Sequence, residues 1–279
     1  MKKSINAWAF PEEMTFEDIF ETAKKYGFEA IELNVDAVGA NKHSFNYDST
    51  EADFNKVLEL EKKYGIEVQS VSTGLYWSTG AFASENPEKR AEALKVLRTQ
   101  LRCASAIKAE GILVVTCVDN EIGLKKSFEN TIEVFRSLKD EIDASGVRVG
   151  LENVWNEFFS SPMDVKYVLD AIGNKNVGMY FDIGNMVEFS NAEWWLDIVG
   201  EYIVKVHIKD FKRAGDVCHN GGTFCGLLEG DVHFDVAIPK LKAAGYDAAM
   251  TAELFPTADT DLHKFYSDIS SALDKIMAM

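Results

Sequence analysis

Residues 177–210 read VGMYFDIGNMVEFSNAEWWLDIVGEYIVKVHIKD and contain two short apolar runs separated by an amphipathic stretch. The runs at 177–182 and 203–210 predict β-strands, because each has the length and the apolar content of a buried strand. The stretch between them has the spacing of a helix that buries one face. The segment therefore predicts a strand–helix–strand unit with two parallel strands.

The same unit recurs along the chain of 279 residues, with no linker rich in proline or serine between the repeats. The other predicted strands are residues 4–8, 30–33, 68–73, 111–117, 148–153 and 248–254. Eight parallel strands that alternate with eight helices match a (β/α)8 TIM barrel better than an open, doubly wound sheet. We expect one such domain over residues 1–279.

Helix boundary signals support the repeat. Helices are predicted to start at Thr15, at Ser49–Thr50 and at Asn86–Pro87, and Gly27 and Gly65 are predicted to end the first two. The longest irregular stretch is predicted between residues 211 and 234, and it is rich in glycine. Connections of this length are usually functional or mobile.

Charge argues against one class of partner. The chain has 29 Lys and Arg against 45 Asp and Glu, which gives a net charge of −16. Such a protein repels a polyanion at long range, so nucleic acid is not an expected partner.

The sequence also favours a cytoplasmic location. It has neither an apolar run of signal-peptide length at its start nor a segment that approaches the roughly eighteen apolar residues of a membrane span. No membrane partner is therefore expected. The four cysteines have unrelated spacings and predict reduced thiols; they are Cys103, Cys117, Cys218 and Cys225.

Polar residues end four consecutive predicted strands, the fifth to the eighth: Glu152, Asp182, His207 and Glu253. Active sites of TIM barrels form at the carboxyl ends of the strands, and neighbouring strands lie only about 4.8 Å apart. Each residue alone could be a hydrogen-bonded core histidine or a carboxylate paired with a buried lysine. Four of them at one level predict a site for one divalent metal ion.

Ligand chemistry narrows the choice of metal. Three carboxylates and one imidazole suit Mn²⁺ or Mg²⁺ and tolerate Co²⁺ or Zn²⁺. The seventh strand also places Lys205, His207 and Lys209 on one face, with Lys205 deeper and Lys209 nearer the mouth.

With these strand ends in view, the whole chain resembles the sugar phosphate isomerase/epimerase group of xylose isomerase-like TIM barrels, which includes ketose 3-epimerases. The segments that carry the resemblance are LENVWNEFFSSP, YFDIGNMVEF, IVKVHIKDFKR, LLEGDV and TAEL. The resemblance implies one divalent metal held by the same four strand-end residues. It also implies that Glu152 and Glu253 form the catalytic acid/base pair, and that Arg213, six residues after His207, holds substrate oxygens.

Two positions depart from the pattern of the group. Asn185 stands where a histidine often contacts substrate, and Leu228 stands where relatives tend to have glycine. Asn185 is therefore kept as a candidate for substrate binding or for orienting a neighbouring ligand.

Three further residues are candidates for contact with substrate. Glu32 ends the second strand and could bind a sugar hydroxyl or pair with an interior base. Trp155 could stack on the apolar face of a sugar, or serve only as packing. Lys209, with Lys212, Arg213 and the glycine-rich stretch, could hold a phosphate or balance local acids.

The function predicted from these features is a metal-dependent sugar or sugar phosphate isomerase or epimerase. The most specific form is a ketose 3-epimerase that works through a metal-stabilised enediolate with two glutamates as acid and base. A dehydratase of a cyclic polyol ketone and an aldose–ketose isomerase remain alternatives. An apurinic-site endonuclease is disfavoured by the charge and by only five histidines, and a non-catalytic sugar-binding barrel by the complete ligand set. A homodimer or tetramer is expected from the group.

Overall fold

The structure, a computed structural model, describes residues 1–79, 82–215 and 221–279. The strands in these ranges are β1 (Lys2–Asn6), β2 (Ala30–Asn34), β3 (Glu67–Ser72), β4 (Gly111–Val114), β5 (Arg148–Glu152), β6 (Val177–Asp182), β7 (Ile203–Ile208), β8 (Asp210–Arg213), β9 (Gly222–Cys225) and β10 (Ala249–Ala252). Eight of them close a parallel barrel in the order β1-β10-β7-β6-β5-β4-β3-β2. The predicted TIM barrel is confirmed.

Helices follow the barrel strands along the chain. Those in the described ranges are α1 (Phe16–Lys25), α2 (Glu51–Tyr64), α3 (Tyr76–Thr79), α4 (Pro87–Ala106), α5 (Gly123–Ser137), α6 (Lys139–Ser145), α7 (Pro162–Ile172), α8 (Ala192–Val199), α9 (Phe234–Ala243) and α10 (Leu262–Met277). The short helices α3 and α6 are additions to the eight that the repeat predicts.

Local capping chemistry explains the helix boundaries. The Thr15 side chain accepts a hydrogen bond from the backbone N–H of Asp18 at the start of α1. The Asn86 side chain caps α4, and Pro87 occupies the first turn, where its missing N–H costs nothing. Gly65 ends α2 with φ of 65°, a left-handed conformation that glycine adopts without strain. These three predictions are confirmed.

Alternation in β7 is also as predicted. Lys205 and His207 both project into the barrel, one above the other. The Lys205 ammonium lies 2.5 Å from the Glu110 carboxylate and 3.3 Å from the Gln69 amide oxygen. Because Glu110 immediately precedes β4, Lys205 neutralises an acid at the amino-terminal end of the barrel, below His207.

The prediction of an irregular stretch between 211 and 234 is wrong in part. The antiparallel pair β8 and β9 forms a hairpin there, with Asp210 opposite Cys225 and Arg213 opposite Gly222. β8 begins only two residues after β7 ends, so its apolar pattern merges with that of β7. β9 lies in a glycine-rich segment without strand periodicity, so the sequence pattern does not predict it.

Two further predictions concern the cysteines, as reduced thiols, and the helices, as too short or too polar to span a membrane. Cys103, Cys117 and Cys225 are free thiols, and Cys218 lies outside the described residues. Over the ranges that the structure describes, every helix is too short or too polar to cross a membrane. The cytoplasmic location stays a prediction.

Candidate metal centre

The four predicted metal ligands meet at the carboxyl-terminal mouth of the barrel. Glu152 and Asp182 are the last residues of β5 and β6, and Asp182 pairs in register with His207 of β7. Glu253 directly follows β10, where its backbone N–H donates to the Ile208 carbonyl. Parallel register therefore brings the four side chains to one level, and each is at most 6% exposed.

Their distances allow one cation to be shared. One potential ligand atom from each residue lies within 4.8 Å of the other three. The His207 Nδ1 atom is 2.8 Å from Glu253 Oε2 and 3.4 Å from Glu152 Oε1. Buried carboxylates at such distances repel one another unless a positive charge lies between or beside them.

Three of the inward-facing atoms satisfy a test for a metal site. Asp182 Oδ2, His207 Nδ1 and Glu253 Oε2 are buried and make no hydrogen bond of good geometry within the described residues, although the Lys209 ammonium forms ion pairs with the two carboxylate oxygens. Buried polar atoms are almost always paired in folded proteins, so three in one cluster need an explanation. A divalent cation that prefers oxygen and imidazole ligands would satisfy all three.

The orientation of His207 leaves the correct nitrogen for a metal. Its Nε2 atom lies 2.6 Å from Glu32 Oε1, deeper in the barrel. We assign Nε2 as the protonated nitrogen, since a carboxylate can only accept at neutral pH. Burial opposes the charge on His207, but Glu253 and Glu32 outweigh it and raise the pKa of the imidazole, so Nδ1 also holds a proton until a cation displaces it. Nδ1 would then face the cation with a lone pair, which is the arrangement of a carboxylate–histidine–metal triad.

Glu32 is completely buried and held by donors on three sides. Asn6 Nδ2 donates to it at 2.6 Å, Ser70 Oγ at 2.5 Å, and the Tyr180 hydroxyl donates to the same carboxylate. Burial opposes ionisation, but His207, Ser70 and Tyr180 outweigh it and lower the pKa of Glu32. Two partners are predicted for Glu32, a sugar hydroxyl and an interior base. In the structure Glu32 pairs with an interior base, His207, and it does not line the cavity above the cluster.

Lys209 lies beside the cluster, on the side of the mouth. Its ammonium is 2.7 Å from Glu253 Oε2 and 3.1 Å from Asp182 Oδ2, and the side chain is 13% exposed. Burial alone would lower the pKa of Lys209, but the surrounding carboxylates raise it above its usual value. Lys209 therefore carries a full positive charge against two of the candidate ligands.

The two glutamates have different electrostatic surroundings. Burial raises the pKa of Glu152 to about 7, although His207 partly opposes the shift. Burial acts on Glu253 as well, but Lys209 and His207 outweigh it and hold its pKa well below the usual range. Separated pKa values for two carboxyl groups are typical of an acid/base pair.

Asn153 and Asn185 fix the end of β6. Asn153 Nδ2 donates to the Asp182 carbonyl, and its Oδ1 accepts from the Asp182 backbone N–H, both at 2.9 Å. Asn185 Nδ2 donates to the Asn153 carbonyl at 2.9 Å, and its backbone N–H donates to Asp182 Oδ1 at 2.8 Å. Asn185 thus orients a candidate ligand, and it also lines the cavity above the cluster.

That cavity has a volume of about 440 Å³ and lies directly above Glu152 and Glu253. Its aromatic wall comprises Trp8, Trp77, Trp155, Phe224 and Phe255. The rings of Trp155 and Phe224 stack at 5.3 Å, so the hairpin of β8 and β9 forms part of the wall. The volume lies within the range of pockets for small molecules. Trp155 thus lines the cavity, and its contact with a sugar stays a prediction.

Arg213 is not brought to this cavity. Its Nε donates to the Val187 carbonyl at 2.6 Å, and its Nη2 donates to the Ser190 carbonyl and to Asn191 Oδ1. These acceptors belong to the segment between β6 and α8. In this conformation the guanidinium fixes that segment, and its contact with substrate stays a prediction.

The sequence analysis did not predict the hydrogen-bond donors around Glu32, which are Asn6, Ser70 and Tyr180. It also did not predict that Phe224 lines the cavity. Asn6 and Ser70 are polar residues inside predicted strands, and that signal could have been used. Tyr180 gave no signal, because a tyrosine in an apolar strand usually indicates packing. Phe224 lies in the glycine-rich stretch, where no periodicity points to the mouth of the barrel.

Comparisons with known proteins agree with this fold. The family of xylose isomerase-like TIM barrels matches residues 20–267. An uncharacterized protein of Methanocaldococcus jannaschii, MJ1311, is 24% identical over 263 residues, which cover 91% of this chain and 83% of that protein.

Solved structures show the same fold. A D-psicose 3-epimerase crystallised in the presence of D-fructose is 16% identical, with a TM-score of 0.80 and full coverage of both chains. The IOLI protein with a bound zinc atom is also 16% identical, with a TM-score of 0.77 over 100% of this chain and 97% of that chain. At these identities the likeness concerns the fold.

Proposed function

Because this chain belongs to the family of xylose isomerase-like TIM barrels, we propose that it is a divalent-metal-dependent sugar isomerase or epimerase. The most specific form of the proposal is a ketose 3-epimerase. The similar D-psicose 3-epimerase is described with D-fructose, and the IOLI protein with zinc, which supports both parts of the proposal.

One observation carries the proposal. Four buried ligand atoms lie within 4.8 Å of one another, and an aromatic-lined cavity opens directly above them. Aromatic rings pack against the apolar face of a sugar, while its hydroxyl and carbonyl oxygens can face the polar floor. A divalent cation bound to this floor would act as a Lewis acid on those oxygens and favour loss of the adjacent carbon-bound proton.

Glu152 and Glu253 are the proposed acid and base. Two strands, β6 and β7, lie between their strands in the barrel, so the two carboxylates approach a ligand from opposite sides of the His207–Asp182 pair. One carboxylate can remove a proton from one face of carbon 3, and the other can deliver a proton to the opposite face. That exchange inverts the configuration at carbon 3.

The substrate is proposed to be a sugar without a phosphate group. Every base predicted to hold a phosphate already has a partner: Lys209 pairs with Asp182 and Glu253, and Lys212 with Asp231 at 2.8 Å. Arg213 is occupied by backbone carbonyls. A phosphate would have to break these contacts to find a positive charge.

The test is exchange of the hydrogen on carbon 3 with solvent. Purified protein is loaded with Mn²⁺, Mg²⁺, Co²⁺ or Zn²⁺ and incubated in D₂O with free and phosphorylated ketoses, and exchange is followed by proton NMR. Exchange is expected with a free ketose. Glu152→Gln and Glu253→Gln should each lower its rate at least about 100-fold, as expected for loss of a general acid or base.

Glu59→Gln, on the exposed face of α2, is the matched control and should leave the rate unchanged. Full exchange in both active-site variants would contradict the acid/base assignment. Product identification in the same samples separates the alternatives. An unsaturated carbonyl product would indicate a dehydratase, and an aldose would indicate isomerisation between carbons 1 and 2.

A further inference from the structure

A second cavity opens beside the one above the metal cluster. It has a volume of about 840 Å³. Lys209, Glu253, Phe224 and Phe255 line both cavities, so the two cavities adjoin. A ligand bound above the cluster and longer than one sugar would therefore reach the second cavity at these four residues.

The second cavity has the shape of a groove. One wall is a face of α10 that runs from Lys264 to Lys275, and the opposite wall is the segment 225–229 after β9. Eleven residue steps along a helix correspond to about 16 Å, at roughly 1.5 Å per residue. The groove is thus elongated. We name it the α10 groove.

The α10 groove adds volume that a single sugar does not need. The smaller cavity alone, at about 440 Å³, lies in the roughly 300–1,000 Å³ range that holds a whole small molecule. Leu228, on the groove wall, adopts φ of 70°, which is unfavourable for a residue with a side chain. Such strain in a cavity wall is typical of binding segments.

Four carboxylates line the groove against three lysines. The Lys264 ammonium pairs with Asp268, and the Lys209 ammonium pairs with Glu253. Lys275 is the third lysine of the lining, and Glu229 and Asp210 are the other two carboxylates. A phosphorylated or otherwise anionic group would find no excess of positive charge there.

The remaining lining suits a carbohydrate. Leu227, Leu228 and Phe265 offer apolar surface, and Asp268 and Ser271 offer hydrogen-bonding groups along the same groove. A pyranose ring presents C–H groups on its faces and hydroxyls at its edge, so it matches a lining of both kinds.

We propose that the substrate is an uncharged glycoside, in which the reacting sugar is joined to a second sugar that lies in the α10 groove. The inference rests on the proposed function, because it places the reacting sugar above the four metal ligands. The second sugar takes no part in the chemistry. It adds binding contacts that a free ketose lacks, and so it raises kcat/KM.

Two disaccharides test this inference with D-fructose as the reference. Lactulose and isomaltulose both contain fructose with a free carbon 3 and a second, uncharged sugar. We expect carbon-3 exchange with at least one of them to have a kcat/KM at least tenfold above that for D-fructose. Equal or lower values for both disaccharides would overturn the inference.

A blocking variant locates the effect. Ser271→Trp places a bulky side chain at an exposed groove position and should lower the ratio of disaccharide to D-fructose kcat/KM at least tenfold. Ser137→Trp, at the exposed last residue of α5, is the matched control and should leave that ratio unchanged. The same ratio in all three proteins would overturn the placement.

Calorimetric titration with lactulose and isomaltulose separates this inference from the proposed function. Binding of the preferred disaccharide should weaken at least tenfold in Ser271→Trp and not in Ser137→Trp. If no sugar exchanges its hydrogen but this pattern of binding is observed, the proposed function fails and the groove assignment stands. If neither disaccharide binds more tightly than D-fructose, the groove assignment fails.

Discussion

At the scale of single residues, His207 is the best-defined part of the site. Its Nε2 faces a fully buried carboxylate, and that carboxylate is fixed by Asn6, Ser70 and Tyr180. The imidazole cannot turn over without leaving a buried charge unpaired, which is costly. Glu32 therefore acts as a positioning residue that determines which nitrogen faces the metal cluster.

Glu32→Gln should weaken the binding of Mn²⁺ or Zn²⁺ about 10- to 100-fold, the usual effect of losing the hydrogen-bond partner of a ligating histidine. Gln keeps the size of the side chain but removes its charge and turns an N–H donor toward groups that themselves donate. Metal affinity is measured by competition with a chromophoric chelator.

Tyr180→Phe removes a single donor to Glu32 and should weaken the metal by a smaller factor in the same assay. Glu59→Gln serves as the control. Wild-type affinity in folded Glu32→Gln protein would show that the carboxylate does not position His207.

At the scale of elements, the hairpin of β8 and β9 forms part of the wall of both cavities, because Phe224 of β9 lines each of them. Its first residue, Asp210, accepts hydrogen bonds from the backbone N–H groups of Gly230 at 2.9 Å and Val232 at 3.2 Å. These bonds hold the segment after β9 against the barrel. The shape of the cavity wall therefore depends on a close approach between two backbones.

Gly230→Ala should destabilise the protein by about 1–3 kcal/mol, the typical cost of inserting a methyl group where there is no room. A Cβ at this position would lie 2.1 Å from Asp210 Oδ1 and 2.7 Å from the Phe211 carbonyl oxygen. The free energy of unfolding is measured by urea titration.

Gly74→Ala is the matched control, because a Cβ there meets no atom within 4 Å among the described residues. It should change the free energy of unfolding by less than about 1 kcal/mol. Equal stability of the two variants would show that the segment moves aside without cost.

At the scale of the whole molecule, the barrel interior is a column of opposite charges. Lys205 neutralises Glu110 at the amino-terminal end, His207 faces Glu32 in the middle, and Lys209 lies against Glu253 at the mouth. The Lys209 ammonium partly replaces the charge that a metal would bring. The protein should therefore fold before it binds a metal, unlike small domains that require one.

Lys209→Met should lower the stability of chelator-treated protein by about 3–5 kcal/mol, because it leaves buried carboxylates without their partner. Mn²⁺ should restore more stability to this variant than to wild-type protein, since it supplies the missing charge. Urea unfolding with EDTA and with Mn²⁺ measures both effects.

Lys212→Met, which breaks an ion pair between a half-exposed lysine and Asp231, is the control and should cost less than about 1 kcal/mol. If Lys209→Met is no less stable than the control in EDTA, the proposed charge balance is incorrect.

Much of the architecture was predictable, because the strands of a TIM barrel are buried and apolar while their carboxyl ends are polar. The positions of Glu152, Asp182, His207 and Glu253 follow from that contrast, although their roles as ligands stay predictions. The end of β4 did not follow. Its apolar run continues to residue 117, but the strand ends at Val114, where pairing with β5 stops.

The contacts of Arg213 could not be predicted for a different reason. Its guanidinium binds backbone carbonyls of Val187 and Ser190, and any residue could supply those acceptors. Only the folded path of the chain after β6 brings them within reach. The pairing of β8 with β9 could not be predicted either, because the sequence of neither segment indicates the other as its partner.

The aromatic wall of the cavity has a practical consequence. Three of the five tryptophans of the chain, Trp8, Trp77 and Trp155, line the cavity above the metal cluster, and Trp77 and Trp155 are 59% and 48% exposed. A sugar that enters must displace water from these indole rings and so change their fluorescence emission. The protein thus carries its own optical probe, and candidate ligands can be screened without a label or a coupled assay.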